Sequence, residues 1–460
     1  MNFFSQFFGS GPLNTLPGPI PSRLTERGLA DVLRHRTEGN HHIARSDYSS
    51  AATSYTNALA SLVSPPATAE GQPASPPPSI PSPDKKFLDD PKQLYALLLA
   101  NRSLAFRKMR RWEEAERDAE GCIESFPTWP KSHLRLAELQ LDLRRHRAAL
   151  SSLLRALDLC RTTEPGAGGE ERIKERMGFA TAMVEGEDAG LAVWQVMAGR
   201  DVCLPTTFNL IQNAINAFAR SMQNCAYLVA DLASRECLVV DPCWDAEGIA
   251  KSAEAAGWKV VGVVVTHAHF DHVGGTPPPP FDRYRVQVSG LHALLRKYPH
   301  IKFHMHPADI PLLLQSNSDI PLPRHCATQD GSVLTLPIPT ESPRVAPSPR
   351  NVEVRFIHTP GHTAGSQCVA VRSLTRPSLP PRLLTGDTLF IGTCGRTDTP
   401  EGDVRAMHES LTKKLAALGD ECFVFPGHSY GGEWTTIGKE RREGVLEVTW
   451  AQFCGMTANA

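Results

Sequence analysis

The chain shows two different patterns of small, apolar and polar positions, one in its N-terminal part and one in its C-terminal part. From about residue 29 to residue 160, small and large residues recur at equivalent places in successive windows. Small residues at such places let the two antiparallel helices of one unit approach closely, and larger residues fill the groove between units. The pattern therefore predicts an all-α repeat domain over residues 29–160. Positions that lie 34 residues apart include Ser103 and Ala137, Ala115 and Ala149, and Cys122 and Ala156, and a window from Val32 is in frame with them.

Beyond about residue 206 the pattern changes to short apolar or β-branched runs bounded by polar turns. Such runs occur at residues 227–230, 238–240 and 260–265, and helix-like segments occur at 245–256 and 404–417. Strands that alternate with helices are typical of α/β domains, so we expect one over residues 206–460. Within it, residues 276–325 contain four consecutive prolines and long polar stretches, which predict an enlarged surface insertion.

Three segments lack the pattern of a packed element. Residues 1–28 predict a flexible tail. Residues 64–91 hold nine prolines in 28 residues and predict a disordered insertion between the first and second repeats. Residues 161–205 contain the sequence GAGGEE and then an amphipathic run, which predict a linker with room for one helix.

Composition and charge narrow the classes of function. The 48 basic and 49 acidic residues give a net charge of −1, which argues against a nucleic-acid-binding protein. No run of 18 apolar residues occurs, so no membrane span is expected. The eleven cysteines form no CxxC pair, as is typical of reduced intracellular thiols. No basic residue precedes Arg23, so we expect no secretory or mitochondrial signal and a cytosolic protein.

A cluster of metal-binding side chains follows the strand-like run at 260–265. Three imidazoles and a carboxylate lie within six residues there, and no packing requirement explains such crowding. Imidazole nitrogens and carboxylate oxygens suit zinc and iron(II). Three more candidate ligands follow turns or strand ends later in the chain. Together the candidates are enough for two sets of about three ligands, with one carboxylate able to bridge, as in two-metal hydrolytic sites. The seven candidates are His267, His269, Asp271, His272, His362, Asp387 and His428.

The motifs HxHxDH, TPGHT, TGDT and PGH, in this order, resemble those of the metallo-β-lactamase superfamily. The resemblance implies an αββα sandwich that binds two divalent metal ions, with zinc expected and iron or manganese as alternatives. It implies that Asp387 bridges the ions and that Asp241 supports the site from nearby. It further implies one metal set of His267, His269 and His362 and a second set of Asp271, His272 and His428.

Several stretches are most similar to the glyoxalase II group, the hydroxyacylglutathione hydrolases: MQNCAYLV, TPGHTAGS, TGDTLF, CGRTD and PGHSYGG. The resemblance implies hydrolysis of a glutathione thioester, with Asp271 and Asp387 as catalytic carboxylates that hold metal and hydroxide in line. It also implies that Arg396 meets the carboxylate of glutathione, and the alternative is that Arg396 forms an ion pair within its loop.

Two other functions stay open from the sequence. Only 32 residues follow His428, whereas typical glyoxalase II proteins carry a long helical C-terminal region. The short tail and the GRTD sequence also resemble persulfide dioxygenases, which use one iron. A non-catalytic scaffold with a structural metal site is the third possibility.

Five polar residues of the repeat domain form a second candidate site. Arg36 and Asn40 are four residues apart, as are Lys131 and Arg135, and Asn101 occupies an equivalent position on the helix between them. Equivalent positions on successive first helices face one concave groove. The set resembles carboxylate-clamp tetratricopeptide domains, which implies a partner with an acidic C-terminal peptide such as the Glu-Glu-Val-Asp tail of cytosolic heat-shock chaperones. The alternative is that these are ordinary solvated groups.

Overall fold

The computed structural model describes residues 19–63, 80–163, 169–204, 210–277, 286–338 and 349–457. Within these ranges the chain forms two units, which divide between Val184 and Glu185. Helices build the first unit, and two β-sheets with flanking helices build the second. None of the helices in the described ranges is both long and apolar enough to cross a membrane.

The N-terminal unit is built from three helix pairs. They are α1 (Glu26–Ala44) with α2 (Tyr48–Val63), α3 (Pro91–Lys108) with α4 (Trp112–Ser125), and α5 (Pro130–Asp142) with α6 (His146–Thr163); α7 (Glu170–Asp188) follows them. The side chains of Thr25 and Asp90 accept hydrogen bonds from backbone N–H groups at the starts of α1 and α3, and Pro130 begins α5. Each first helix therefore begins at a signal in the local sequence.

Small residues lie where helices of the repeats approach most closely. A Cβ atom at Gly39 would lie 2.5 Å from Cε1 of Tyr55, so only glycine fits against this ring. Ala115, Ala149 and Ala156 are fully buried between helices. The predicted all-α repeat architecture is confirmed.

Part of the segment predicted to be a disordered insertion packs on the repeats. Ser82–Leu88 form a 3-10 helix, and Phe87 belongs to the hydrophobic core of the N-terminal unit. The backbone N–H of Leu24 donates to the carbonyl of Leu88, so residues before α1 are ordered as well. Disorder is thus the wrong prediction for residues 80–91, because an aromatic side chain anchors them. Residues 1–18 and 64–79 lie outside the described residues.

The described residues of the C-terminal unit form two six-stranded sheets. The first has the order β1-β2-β3-β4-β5-β6 and consists of β1 (Leu191–Met197), β2 (Cys225–Asp231), β3 (Glu236–Val240), β4 (Lys259–Val264), β5 (Lys302–Met305) and β6 (His325–Ala327). The second has the order β12-β11-β10-β9-β8-β7 and consists of β7 (Val333–Leu336), β8 (Val352–His358), β9 (Gln367–Ser373), β10 (Arg382–Gly386), β11 (Phe423–Pro426) and β12 (Thr435–Thr436).

The sheets pack face to face with helices outside them. Between the sheets, Tyr227 of β2 contacts Phe425 of β11, and His304 of β5 stacks on Phe356 of β8. The first sheet shares a core with α8 (Leu210–Met222), α9 (Ala246–Ala255), α11 (Leu291–Lys297) and α12 (Ile310–Ser316), and the short α10 (Phe270–Val273) lies at its edge. The second shares a core with α13 (Val404–Glu409), a π-helix (Ser410–Leu415), α14 (Ile437–Glu443) and α15 (Trp450–Thr457). The predicted αββα sandwich is confirmed.

Two predicted segments differ from the structure. Residues 161–205, predicted as a linker, contain not only α7 but also β1, which pairs with β2 over seven residues. Residues 276–325, predicted as a surface insertion, contain β5 and the first residue of β6, both strands of the first sheet, and Phe303 and Met305 of β5 are fully buried. These two strands are only four and three residues long, too short to show a periodic pattern. Residues 278–285 lie outside the described residues.

Candidate metal centre and peptide groove

The predicted metal ligands gather at one edge of the two sheets. Strands β3, β4 and β5 are parallel, as are β10 and β11, so the loops after them open at the same edge of each sheet. The order of the motifs in the sequence thus becomes one cluster in space. His267 and His269 follow β4, Asp271 and His272 lie on α10, His362 lies between β8 and β9, Asp387 follows β10, and His428 follows β11.

The ligand atoms of all seven residues form three overlapping groups. The groups are His267, His269 and His362; His267, His272 and Asp387; and Asp271, His272 and His428, and the atoms of each lie within 4.8 Å of one another. Asp387 joins them, because its Oδ1 is 3.3 Å from His272 Nε2 and its Oδ2 is 3.2 Å from His428 Nε2. On the other side, Nδ1 of His269 is 2.8 Å from Nε2 of His362.

In three of the histidines, the ring nitrogen that faces away from the cluster contacts an oxygen atom. A proton on such an outer nitrogen leaves the inner nitrogen as the lone-pair donor that a metal requires. The outer contacts are His272 Nδ1 to Asp241 Oδ2 at 3.1 Å, His362 Nδ1 to the carbonyl of Arg396 at 2.7 Å, and His428 Nδ1 to the carbonyl of Met222 at 2.6 Å.

Two buried polar side chains outside the seven orient this cluster. Asp241 accepts hydrogen bonds from the backbone N–H and the hydroxyl of Thr266, the residue before His267, at 2.8 and 2.6 Å. Asn224 donates to the carbonyl and to Oδ2 of Asp271, at 3.0 and 3.2 Å. Asn224 lies in the MQNCAYLV stretch, but nothing local in the sequence marks an amide there as part of a site.

Burial and neighbouring charges set the protonation of the cluster. Burial lowers the pKa of His267 well below its usual range and that of His269 to about 4. Burial also acts to lower the pKa of His272, but the carboxylates of Asp387 and Asp271 outweigh it and raise this pKa to about 10. Burial acts to lower the pKa of His428 as well, but the charge of Asp387 is the main effect that opposes burial, and this pKa is also raised. In the absence of metal, the carboxylates thus favour the protonated forms of His272 and His428.

The donor set fits divalent metal ions. Nε2 of His267 is buried and has no hydrogen-bond partner among the described residues. A buried polar atom without a partner is unfavourable, and a metal ion would supply that partner. Imidazoles and carboxylates in this ratio suit zinc, iron(II) or manganese.

A cavity of about 870 Å³ opens on the cluster. Apolar side chains form much of its wall, among them Met222, Phe270, Leu312 and Phe390. The volume lies in the upper part of the range for small-molecule sites. Substrate could thus reach the metal ligands through a mainly apolar cavity.

Arg396 lines this cavity and also forms an ion pair within its loop. Its Nε and Nη2 atoms lie 2.7 and 2.8 Å from the two carboxylate oxygens of Asp398. The Arg396 side chain is 67% exposed. Both features considered from the sequence, a position at the site and a loop ion pair, are therefore present.

The predicted peptide-binding residues lie on α1, α3 and α5 of the N-terminal unit. Asn40 accepts hydrogen bonds from Tyr55 at 2.8 Å and from Asn101 at 3.4 Å. Burial raises the pKa of Tyr55 to about 12, against the positive charges of Arg135 and Arg36. Tyr55, Asn40 and Asn101 thus form one hydrogen-bonded group. Lys131 is exposed one turn before Arg135 on α5.

Both arginines already have carboxylate partners. Two nitrogens of Arg36 lie 3.2 Å from the carboxylate of Asp84, and Arg135 Nη1 lies 3.1 Å from Glu138. The Nε atoms of Arg36 and Arg135 are buried and have no hydrogen-bond partner among the described residues.

The fold and the cluster define an αββα protein with a candidate two-metal centre. The family model of the metallo-beta-lactamase superfamily matches residues 220–428. An uncharacterised protein of Aquifex aeolicus is 33% identical over 222 residues, which cover 47% of this chain and 88% of that protein. The chain therefore belongs to the metallo-beta-lactamase superfamily.

Two further similarities concern the two halves of the chain. The hydroxyacylglutathione hydrolase GloC of Haemophilus influenzae is 29% identical over 220 residues, which cover 48% of this chain and 90% of GloC. The TPR2B domain of yeast Sti1, solved as a pHsp70 complex, is 20% identical, with a TM-score of 0.25, and the match covers 33% of this chain and 97% of that chain.

Proposed function

We propose that the C-terminal unit is a metal-dependent hydrolase of glutathione thioesters. The observation that carries the proposal is the convergence of seven ligand side chains on one cavity, with Asp387 between the two sets. The similarity to GloC supports glutathione as the thiol part of the substrate. Zinc is the proposed metal, because imidazole dominates the donor set.

His267, His269 and His362 would hold one metal ion, Asp271, His272 and His428 the second, and Asp387 would bridge them. Bound metal ions would lower the pKa of water and polarise the thioester carbonyl. In the overall reaction, water adds to the carbonyl carbon, the carbon–sulfur bond breaks, and a carboxylic acid and a thiol result.

The protein's own groups fix the ligands and shape the access to them. Asp241 and the carbonyls of Met222 and Arg396 fix the outer ring nitrogens, so the inner nitrogens are presented without rearrangement. Asn224 fixes the carboxylate of Asp271. The apolar wall of the cavity limits bulk water, which strengthens electrostatic interactions with the substrate carbonyl.

Substitution of the ligands tests the hydrolase. We expect His267→Ala and Asp387→Ala to abolish hydrolysis of S-acylglutathiones, while His300→Ala, at an exposed histidine, retains it. Activity retained in both ligand variants would overturn the proposal. One iron per chain with oxygen uptake on a persulfide would replace it with the dioxygenase, and a folded protein without turnover on either substrate would favour the scaffold.

We also propose that the groove of the N-terminal unit binds an acidic C-terminal peptide of a cytosolic chaperone. The cations Arg36 on α1 and Arg135 on α5, with the hydrogen-bonded amides of Asn40 and Asn101, support it, because charge-assisted bonds to carboxylates need this donor set. Titration with a Glu-Glu-Val-Asp peptide should show binding that Lys131→Ala weakens about tenfold, since hydrogen bonds to charged groups contribute about 1.5 kcal/mol or more. Absence of binding, or equal binding by the variant, would contradict this role.

A further inference from the structure

We infer that Asp309 is a positioning residue that braces two metal-ligand loops of the proposed hydrolase, on which this inference rests. Asp309 ends the 3-10 helix Pro307–Asp309, after β5, and is only 1% exposed. The HxHxDH loop follows the adjacent parallel strand β4. The carboxylate therefore reaches the ligand cluster from the segment that the sequence predicted to be a surface insertion.

The carboxylate accepts hydrogen bonds from both loops at once. Its Oδ2 accepts from the backbone N–H of Ala268, between His267 and His269, at 3.0 Å. The same oxygen accepts from the hydroxyl of Thr363, next to His362, at 2.8 Å, and Oδ1 accepts from Gly365 N at 2.6 Å. Three donors from two separate loops thus share one carboxylate.

The chemistry of this contact requires a carboxylate. All three partners are donors, and an ionised carboxylate is a pure acceptor, whereas an amide would turn an NH₂ group toward one of them. The backbone also approaches closely, since a Cβ atom at Gly365 would lie 2.6 Å from Cγ of Asp309. Asp309 therefore fixes the distance between the loops that carry His267, His269 and His362.

The metal affinity of the full-length protein tests whether Asp309 positions the two ligand loops, a role we call the brace. Metal-free wild type, Asp309→Asn and Thr363→Val are titrated with Zn²⁺ against a chromogenic chelator, at a temperature where circular dichroism shows each to be folded. We expect Asp309→Asn to lose about tenfold to a hundredfold in affinity, and Thr363→Val, which removes one of the three bonds, to lose less. Asp319→Asn is the control, because Asp319 is exposed and hydrogen-bonded to Ser318 outside the cluster.

The outcomes separate a brace from a general contribution to stability. Equal Zn²⁺ affinity in wild type and Asp309→Asn overturns the inference, even where the variant melts at a lower temperature. If wild type and variant bind Zn²⁺ equally well, the proposed hydrolase is not contradicted. A wild-type protein that binds no Zn²⁺ overturns the inference and the hydrolase together.

A separate observation concerns the peptide groove, and its interpretation rests on the proposed peptide binding. We propose that Asp84 is an internal competitor for the acidic peptide. It lies on the 3-10 helix Ser82–Leu88 and contacts both terminal nitrogens of Arg36 at 3.2 Å. Phe87 anchors that helix in the core, and the guanidinium of Arg36 lies 5.9 Å from the centre of its ring. A peptide carboxylate that binds Arg36 must therefore displace a carboxylate of the chain itself.

Removal of the competing charge should tighten peptide binding. We expect Asp84→Asn to bind a Glu-Glu-Val-Asp peptide about fivefold more tightly than wild type, because a partly exposed ion pair has modest strength. Adding Arg36→Ala to Asp84→Asn should remove the gain. Equal or weaker binding by Asp84→Asn overturns this inference alone, and no binding by any variant overturns it together with the peptide site.

Discussion

Loading the metal centre near neutral pH should release about two protons per chain. The pKa of His272 is raised to about 10 and that of His428 is raised as well, because Asp387 and Asp271 outweigh the effect of burial. We therefore expect both imidazoles to be protonated in the metal-free protein at pH 7. A metal ligand must be a neutral imidazole, so each of the two protons must leave when the ions bind.

The direction and the size of the pH dependence of metal affinity follow from the release of two protons. Each proton released makes the overall metal affinity rise tenfold per pH unit, or about 1.4 kcal/mol, so two protons give about a hundredfold. The effect holds below the raised pKa of His272, about 10, and affinity falls as the pH falls. His269, with a pKa of about 4, adds a further proton only in acid.

Isothermal titration calorimetry of the metal-free protein with Zn²⁺ measures the protons directly. Titration at one pH in buffers of small and large ionisation enthalpy gives the number released from the difference in heat. His300→Gln, at an exposed histidine, should release the same number as wild type. No proton release, or equal affinity at pH 6 and pH 8, would refute this reasoning.

Three other substitutions test separate parts of the structure. Gly427→Ala would put a Cβ atom 2.4 Å from Oδ1 of Asp387, so we expect metal affinity to fall at least about tenfold with unchanged circular dichroism. Arg102→Ala leaves the buried Asp118, 2.7 Å away in wild type, without its partner; chemical denaturation should show a loss of about 3–5 kcal/mol, and a loss below about 1 kcal/mol would contradict the pairing. Arg396→Ala should raise KM for S-acylglutathiones with little change in kcat, whereas an unchanged KM would leave Arg396 as a surface ion pair.

The convergence of the seven candidate metal ligands could be predicted from the sequence because each lies at a local signal. The HxHxDH cluster follows a strongly apolar run, and the other three candidates follow strand ends or Pro-Gly turns and take their support from the order of the motifs. The repeats were predictable for a similar reason, since a position such as Gly39 must be small against Tyr55.

The parts of the fold and of the candidate site that could not be predicted depend on contacts between residues far apart in the sequence. Asn224 meets the ligand Asp271 only after β2 and β4 join one sheet, and Asp309 meets Ala268 and Thr363 only after β5 does. Strands β5 and β6 are too short to show alternation, and the four prolines and long polar stretches of residues 276–325 predict a surface insertion instead.

The metal content and turnover of the intact protein test the central claim most directly. Purified full-length protein is analysed by elemental mass spectrometry and assayed on S-acylglutathiones in parallel. The proposed centre predicts about two divalent ions per chain and thioester hydrolysis that is lost on metal removal and restored by Zn²⁺. A folded protein with no metal, or with one iron and no thioester hydrolysis, would contradict the account.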